Sequence, residues 1–252
     1  MNKIDHKIGQ INEIKQLDET VINKIAAGEV VERPASAVKE LIENSIDAGS
    51  TDILIEVADG GKTLIRVTDD GHGMSEIDLP MALRRHATSK LKNNNLLDIN
   101  SFGFRGEALP SLGAVGRLRV ISNKEGHGAY EITVNGGDCS STKPAARVPG
   151  TTIELRDLFY ATPARLKFLR SNKSELKAIT DAVKGLSIST PSVGFTLIDK
   201  IAGKSRILLQ VQKESDDSIK AKINRLSRIL GQEFSKNDFS GCIQSKYRGH
   251  LT

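Results

Sequence analysis

The sequence predicts an α+β fold, a two-layer α/β sandwich in which strands predominate and helices lie near both ends of the chain. Apolar residues recur at helical spacing over residues 34–47, which indicates an amphipathic helix. The alternating runs ILIEV and LIRVT flank the turn ADGGK, a pattern typical of a β-hairpin with one buried face. Further strand-like runs follow without a helix after each one, which argues against a parallel doubly wound sheet.

The length and composition of the chain permit one large domain and part of a second. The chain has 252 residues, of which 38% are apolar and 27% are charged, enough to bury a sizeable core. We expect a polar tail at residues 1–13, the main domain at 14–211 and the incomplete beginning of a second α/β domain at 212–252. The last segment is too short for a core of its own.

The first two helices are marked by the residues at their ends. Residues 18–27 predict a short helix with Asp18 as its N-cap and Gly28 just beyond its last residue. The next helix has Pro34 in its first turn and Gly49 at its exit. Its apolar stripe consists of Val38, Leu41, Ile42, Ser45 and Ile46.

The rest of the chain alternates between polar connections and strands. Residues 76–100 predict a mobile connection that carries one helix. Strands are predicted in RLRVIS, AYEITVNGG and TTIELRDLF, and further strands extend to Val211. A basic helical stretch near residues 163–186 lies between these two groups, and a helix in SIKAKINRLSRILG opens the second unit.

Composition excludes several classes of protein. No stretch approaches the roughly eighteen apolar residues of a membrane span, and no secretory signal is present, so we expect a cytoplasmic protein without membrane association. Cys139 and Cys242 lack metal-site or redox spacing, which argues against a disulfide framework or a zinc site. The net charge of +5 and the pI near 9.1 suit a polyanionic partner such as DNA, but the excess is modest and dispersed.

One face of the second helix carries polar residues suited to hydrolysis. Glu40, Asn44 and Asp47 are four and then three residues apart, so they share a narrow face of a helix. A carboxylate can accept the proton of an attacking water, and an amide oxygen is a neutral ligand that suits Mg²⁺. Taken alone, the same pattern is usual for a solvated helix face.

A second candidate segment directly follows a predicted strand. The run Asp69-Asp70-Gly71-His72-Gly73 places a carboxylate at the strand end beside two residues with free backbones. A carboxylate there can accept the amino group of adenine, whereas the carbonyl of guanine would face it as a second acceptor. An ordinary acidic turn remains the alternative for these residues.

A third group is suited to phosphate binding. Glycines precede a helix-prone run at Gly103–Leu109, and exposed amides at a helix N-terminus favour anions. Thr88, Ser89 and Lys90 add hydroxyls and an ammonium group in the preceding loop. The hydroxyl of Thr152, at the beginning of a later strand, is expected near the base.

The order of these segments resembles the four nucleotide-binding motifs of the GHKL ATPases, a superfamily that includes gyrase, histidine kinases, a heat-shock chaperone and MutL. Within it, the sequence is similar to the MutL family of DNA mismatch-repair proteins in four strings: NKIAAGEVVERPASAVKELIENSIDAG, RRHATSK, GFRGEAL and LFYATPARLKFL. The resemblance extends from about Ile14 to the last residue. It implies a GHKL (Bergerat) ATPase domain at residues 14–211, followed by the start of a transducer domain.

The resemblance also implies a role for each site residue, with ATP and Mg²⁺ as cofactors. Glu40 would be the general base, Asn44 the Mg²⁺ ligand and Asp69 the carboxylate that recognises adenine. The ATP-binding set would be Asn44, Asp47, Asp69, Gly71, Gly73, Thr88, Ser89, Lys90, Gly103, Phe104, Arg105, Gly106, Glu107, Ala108, Leu109 and Thr152. Slow hydrolysis would drive a switch between two states.

The implied partners are those of mismatch repair. Family members form a homodimer on ATP binding and act with a mismatch sensor of the MutS type, a downstream nuclease, a helicase and DNA. A lysine of the family's second domain reaches the terminal phosphate, and this chain ends before that domain is complete. We therefore expect nucleotide binding with feeble hydrolysis.

Three other functions stay open at this point. The chain is either a nucleotide-gated scaffold in which turnover matters little, or another GHKL enzyme such as a topoisomerase subunit or a kinase, or a plain DNA-binding module. DNA contacts would come from Arg165, Lys167, Arg170, Lys173 and Lys177, with a steep dependence of affinity on salt. A solvated helix face explains these five cations equally well.

Overall fold

The computed structural model describes residues 16, 18–90, 102–103, 106–201, 203–216 and 218–231. Within these residues nine strands form one sheet. The strands are β1 (Asp52–Ala58), β2 (Leu64–Asp69), β3 (Arg117–Asn123), β4 (Ala129–Asn135), β5 (Asp138–Cys139), β6 (Lys143–Ala145), β7 (Gly150–Arg156), β8 (Gly194–Ile201) and β9 (Lys204–Val211). The predicted tail at residues 1–13 lies outside the described residues.

Helices form the second layer. Across the described ranges they are α1 (Glu19–Val30), α2 (Pro34–Asp47), α3 (Asp78–Met81), α4 (Ala108–Val115), α5 (Pro163–Leu166), α6 (Asn172–Ser189) and α7 (Ile219–Leu230). The helices α1, α4, α2, α6 and α7 contact one another in that order, while α2, α4 and α6 also contact strands. None of the helices in the described part of the chain is both long and apolar enough to cross a membrane.

The sheet has the order β5-β4-β3-β7-β2-β1-β8-β9, and β6 pairs with β4. Only β1 and β8 pair in parallel, and the other neighbours are antiparallel. The strand β2 lies at the centre, between β1 of its own hairpin and the later strand β7. The predicted α+β sandwich is confirmed, and this order places the end of β2 beside the beginning of β7.

The core lies between the sheet and the helical layer. The predicted stripe of α2 supplies Val38, Leu41 and Ile42, each fully buried, and Ile55 of β1 is buried with them in the same cluster. Alternation in the strands leaves charged residues on the opposite face, where Arg66 bridges Glu56 and Glu154 across β1, β2 and β7.

The turn that connects β1 and β2 of the hairpin is a 3₁₀ turn at residues 59–61. Periodicity alone therefore identified both α2 and the hairpin correctly.

The first helix differs from the prediction at its C-terminus. Gly28 lies inside α1, which continues to Val30, so the glycine does not end the helix. A side chain at Gly28 would overlap the guanidinium group of Arg165, which donates to the carbonyl of Gly28 at 2.7 Å. The glycine is explained by this close approach rather than by a turn.

The basic stretch predicted near residues 163–186 is two helices instead of one. The short α5 is separated from α6 by a non-helical segment, and the Ser171 hydroxyl caps α6 by accepting from the amide of Ser174. Glu175, which is 1% exposed, accepts from Arg33 at 2.9 Å and from the Arg170 amide at 3.0 Å. These contacts attach the start of α6 to the start of α2.

The helix α7 is attached to the main domain through one buried arginine. Arg225 is fully buried, and its guanidinium group donates to the carbonyl oxygens of Ser187, Pro191, Val193 and Gln212 at 2.6–3.1 Å. Ser187 lies in the last turn of α6, Pro191 and Val193 lie between α6 and β8, and Gln212 directly follows β9. The expected second domain at 212–252 stays a prediction, because residues 232–252 lie outside the described part of the chain.

Replacing Arg225 by Met tests this attachment. The change leaves four carbonyl oxygens without their donor, so we expect the free energy of unfolding to fall by about 3 kcal/mol. Arg228→Met on the same helix is the matched control, because Arg228 is exposed and pairs only with Glu214 at its guanidinium Nη1. Urea denaturation should show a loss below about 0.5 kcal/mol for the control. Equal losses in both variants would contradict the assignment.

Candidate active site

A cavity of about 950 Å³ lies between α2, the loop after β2 and the first turn of α4. Its volume is in the range of small-molecule sites. Thirteen predicted site residues line it: Glu40, Asn44, Asp47, Asp69, Gly73, Thr88, Ser89, Lys90, Gly103, Gly106, Glu107, Ala108 and Leu109. Gly71 and Thr152 are not part of the lining, and Phe104 and Arg105 lie outside the described residues.

The polar face of α2 forms one wall, as its spacing predicted. Glu40, Asn44 and Asp47 all line the cavity, while the apolar stripe of the same helix is buried in the core. Glu40 and Asn44 are partly exposed, so both are accessible to a ligand and to water. The helix ends at Asp47, and the chain leaves it through Gly49 with a positive φ of 74°.

An ammonium group occupies the end of this wall. Lys90 donates from Nζ to Asn44 Oδ1 at 2.8 Å and to Asp47 Oδ2 at 2.5 Å. The amide of Phe102 donates to the other carboxylate oxygen of Asp47 at 3.0 Å. Two neighbouring side-chain oxygens of α2 therefore bind a cation. In this structure the cation is the ammonium group of Lys90, which belongs to the loop that precedes α4.

Asp69 forms the opposite end of the cavity and is only 6% exposed. Its Oδ2 accepts from the Ser45 hydroxyl at 2.9 Å, and its Oδ1 accepts from the amides of Gly71 at 3.0 Å and Thr151 at 3.2 Å. Burial raises the pKa of this carboxyl above its usual range, and the three hydrogen bonds offset the effect only in part. The result is an acceptor group held in one orientation.

The two glycines after Asp69 have different tasks. A side chain at Gly71 would come within 2.8 Å of Ala48 and of the Ser50 hydroxyl, so this glycine allows the loop to pack against the end of α2. Gly73 lines the cavity with a φ of 66°, and a side chain there would overlap the carbonyl of Asn123. Gly71 therefore has a packing role outside the cavity lining, and Gly73 lies at the wall; the contact of Gly71 with a nucleotide stays a prediction.

The strand β7 contributes Thr151, where the sequence suggested Thr152. Side chains alternate between the faces of a strand, so one residue of difference in register moves the hydroxyl to the other face. Thr151 lines the cavity and its hydroxyl lies 2.8 Å from that of the buried Ser122. Thr152 instead contacts Arg147 and Thr68 on the far side. Thr151 shares its face of β7 with Ile153, which also lines the cavity.

The first turn of α4 borders the cavity beside the loop that carries Lys90. Gly106, Glu107, Ala108 and Leu109 line it, which places the amide end of the helix at the wall, as predicted. The carboxylate of Glu107 lies 3.0 Å from His86 Nδ1 and 3.5 Å from Arg85. The guanidinium group of Arg85 counters the negative charge that Glu107 brings to a wall suited to anions.

The basic residues proposed for DNA lie away from the cavity lining. Lys167, Arg170 and Lys173 are exposed, and Lys177 is exposed beside Asp181. Arg165 is partly buried because it caps the carbonyl oxygens at the end of α1. This hydrogen bond explains the position of Arg165 without a contact to DNA.

The residues present fit ATP and Mg²⁺. No group of three or more metal-binding His, Cys, Asp or Glu side chains occurs among the described residues, so these residues form no closed metal cage. Mg²⁺ commonly uses one or two protein oxygens together with water and substrate phosphates. The oxygens of Asn44 and Asp47, which already hold an ammonium group, are suited to that limited contribution.

Comparison with known sequences agrees with this arrangement. A family profile described as histidine kinase-, DNA gyrase B- and HSP90-like ATPase matches residues 31–158. The DNA mismatch repair protein MutL of Rhizobium leguminosarum is 52% identical over 225 residues, which cover 89% of this chain and 36% of that relative. MutL of Agrobacterium fabrum is 51% identical over the same shares. The chain thus spans 36% of the length of these curated relatives.

Solved structures show the same fold. The Aquifex aeolicus MutL ATPase domain complexed with ADP has a TM-score of 0.64 and 29% identity, over 80% of this chain and 70% of that one. The N-terminal domain of a DNA repair protein has a TM-score of 0.71 and 26% identity, over 84% and 61%. The chain belongs to the histidine kinase-, DNA gyrase B- and HSP90-like ATPase family, and in sequence and fold it is similar to the ATPase region of MutL.

Proposed function

We propose that this chain is the nucleotide switch of a DNA mismatch-repair protein, which binds Mg²⁺–ATP and hydrolyses it slowly. The observation that carries the proposal is the acceptor capacity of Asp69. An ionised carboxylate has about four acceptor positions, and Ser45, Gly71 and Thr151 use three of them. The remaining position, on Oδ2 at the cavity wall, suits an amino group such as that of adenine.

Selectivity for adenine follows from the same chemistry. Guanine presents a carbonyl where adenine presents its amino group, so two acceptors would face each other at Asp69. Binding guanine would leave the remaining acceptor position on Oδ2 without a donor. The ADP named with the similar ATPase domain of Aquifex aeolicus MutL supports an adenine nucleotide as the ligand.

The polar face of α2 would carry out hydrolysis. Glu40 lies on this wall and is partly exposed, so it is suited to accept a proton from the attacking water. Asn44 would hold Mg²⁺ through its carboxamide oxygen. When bound, Mg²⁺ neutralises charge on the phosphates and orients them. Glu40 and Asn44 are one turn apart on the helix, so the proposed base lies close to the proposed metal ligand without occupying the same position.

The loop before α4 would couple the nucleotide to the protein's shape. In the described arrangement Lys90 uses the same oxygens of Asn44 and Asp47 that Mg²⁺ would need. Entry of Mg²⁺–ATP would therefore release the ammonium group, which can turn to the phosphates with Thr88 and Ser89. The position of this loop then depends on the nucleotide, as a switch requires.

The similarity to MutL motivates the proposed partners of the whole protein. ATP binding would favour a homodimer, and the two states would contact a MutS-type mismatch sensor, a downstream nuclease and a helicase in the cytoplasm. DNA would be held electrostatically by the exposed cations Lys167, Arg170 and Lys173. Arg165 remains a weaker candidate, because it is engaged at the end of α1.

The variant Asp69→Asn tests the adenine contact. The side-chain amide of Asn has one acceptor oxygen where the carboxylate of Asp has two. We therefore expect ATP to bind about 30-fold more weakly, because a hydrogen bond to a charged group is lost. Asp70→Asn is the matched control, because the carboxylate of Asp70 points away from the cavity to the amides of Thr51 and Asp52. Calorimetric titration with ATP and GTP measures both. Tight GTP binding to the unmodified chain would refute the proposed recognition.

The variant Glu40→Gln tests the general base. Removing a proton acceptor typically slows the chemical step by about 100-fold or more, while ATP affinity should change less than about threefold. Glu43→Gln is the control, because Glu43 lies on the same helix outside the cavity lining and pairs with Lys39. Phosphate release is the measurement. Hydrolysis that survives the change would exclude Glu40 as the base.

The same Glu40 variant separates the switch from its rival, a nucleotide-gated scaffold. In a complete protein carrying Glu40→Gln, a switch that needs turnover would lose repair activity along with hydrolysis. A scaffold would retain repair, because nucleotide binding alone would set its shape.

Replacing Asn44 by Ala tests the metal ligand. In the unmodified chain Mg²⁺ should strengthen ATP binding relative to the same titration in EDTA. The variant lacks the carboxamide oxygen, so we expect this Mg²⁺ effect to fall by roughly tenfold, while affinity in EDTA stays nearly unchanged. An undiminished Mg²⁺ effect would place the metal on other atoms.

A further inference from the structure

Arg147 lies directly behind the adenine end of the cavity. It precedes β7, and its guanidinium group contacts the ends of two neighbouring strands. Its Nη2 donates to the backbone carbonyl of Asp69 and, at 2.9 Å, to that of Thr151, while Nη1 donates to the Thr152 hydroxyl. The side chain of Asn123 donates to the Arg147 carbonyl at 2.5 Å. One planar group thus joins the last residue of β2 to the first residues of β7.

This junction involves the residues that face the cavity. Asp69 and Thr151 are register partners across the two strands, and the Thr151 amide donates to the Asp69 carboxylate. Arg147 holds the backbone carbonyls of both partners from the opposite side. Nη2 serves both carbonyls and Nη1 serves the Thr152 hydroxyl, so the planar guanidinium group holds three acceptors in a fixed geometry that an ammonium group does not reproduce. The position of the carboxylate in the cavity therefore depends on this contact.

The charge of Arg147 also acts on Asp69. Burial lowers the pKa of Arg147 and raises that of Asp69, and each charge opposes the effect on the other. The other charged or titratable groups on the cavity wall are Glu40, Asp47, His72, Asp78, His86, Lys90, Glu107 and Lys124. Arg147, which lies outside the lining, also attracts the Asp69 carboxylate, and this attraction changes the pKa of Asp69 less than burial and the hydrogen bonds from Gly71, Ser45 and Thr151 do.

We propose that Arg147 is a positioning residue for adenine recognition, which fixes the Asp69 carboxylate at the cavity by holding the backbone carbonyls of Asp69 and Thr151. The inference rests on the proposed role of Asp69 and deepens it. Arg147 itself does not line the cavity, so its effect on a nucleotide passes through Asp69. Nothing in the sequence pattern pointed to this residue, since its partner Asp69 lies 78 positions away.

The test compares Arg147→Gln and Arg147→Lys in titrations of the whole chain with ATP and Mg²⁺ between pH 5 and 8.5. Adenine binding needs the ionised carboxylate, so affinity falls as pH decreases through the pKa of Asp69. Loss of the charge in Arg147→Gln raises that pKa further, so the midpoint of this fall should move to higher pH. Arg147→Lys should keep the midpoint and lose affinity about fivefold at every pH, because the fork is gone.

Arg156→Gln is the matched control, because it removes the same charge from β7 at an exposed position that pairs with Glu154. It should keep both the midpoint and the affinity of the unmodified chain. Because the ionisation of ATP itself affects both variants equally, comparison with this control removes that contribution.

A midpoint in Arg147→Gln equal to that of the control would overturn the proposal. If Arg147→Gln does not fold, Arg147→Lys decides: full affinity at every pH would show that the fork is not needed. Failure of the unmodified chain to bind ATP would instead refute the proposed function.

Discussion

The structure depends on holding one carboxylate in a buried position at the end of the central strand. Removing a carboxylate from water is unfavourable by several kcal/mol unless hydrogen bonds compensate. Asp69 has a donor from each neighbouring element: Ser45 from α2, Gly71 from the loop and Thr151 from β7. Arg147 adds a positive charge behind it. The helix, the loop and the second strand are therefore held in place around the same group, which makes the recognition site part of the fold's own framework.

The sheet order explains how distant segments form a single cavity. The strand β2 pairs on one side with its hairpin partner β1 and on the other with β7, which follows more than eighty residues later. The helix α2 packs over this central pair, so its polar face stands opposite Asp69. The segment between β2 and β7 contains α4, whose first turn closes a further side of the cavity. Four stretches that are scattered along the chain thus meet because β2 has two antiparallel neighbours.

Local sequence signals predicted most of this arrangement, and non-local contacts account for the rest. Periodicity identified α2 and the β1–β2 hairpin because each buries one face. Gly28 was misread as a helix end because the close approach of Arg165, 137 positions away, leaves no local trace. Ser45 was assigned to the apolar stripe since its position is buried, and its hydrogen bond to Asp69 depends on packing. Thr151 was missed in favour of Thr152 because a strand pattern gives alternation without revealing which face meets the ligand.

The sign of the charges on the cavity wall gives a reason for metal dependence that does not rely on the comparison with relatives. Glu40 and Asp47 place carboxylates on the α2 wall, where the phosphates of a nucleotide would lie if its base reached Asp69 at the other end. Like charges at such short range in a partly desolvated cavity repel strongly. The ammonium group of Lys90 neutralises Asp47 in the described arrangement, yet a single positive charge cannot balance both carboxylates and a triphosphate. A divalent cation at Asn44 would supply the missing charge, and the neutral amide would leave that charge available to the phosphates. An Asp at position 44 would hold the metal more tightly and weaken its effect on the nucleotide, which is why an amide is the better ligand between two carboxylates.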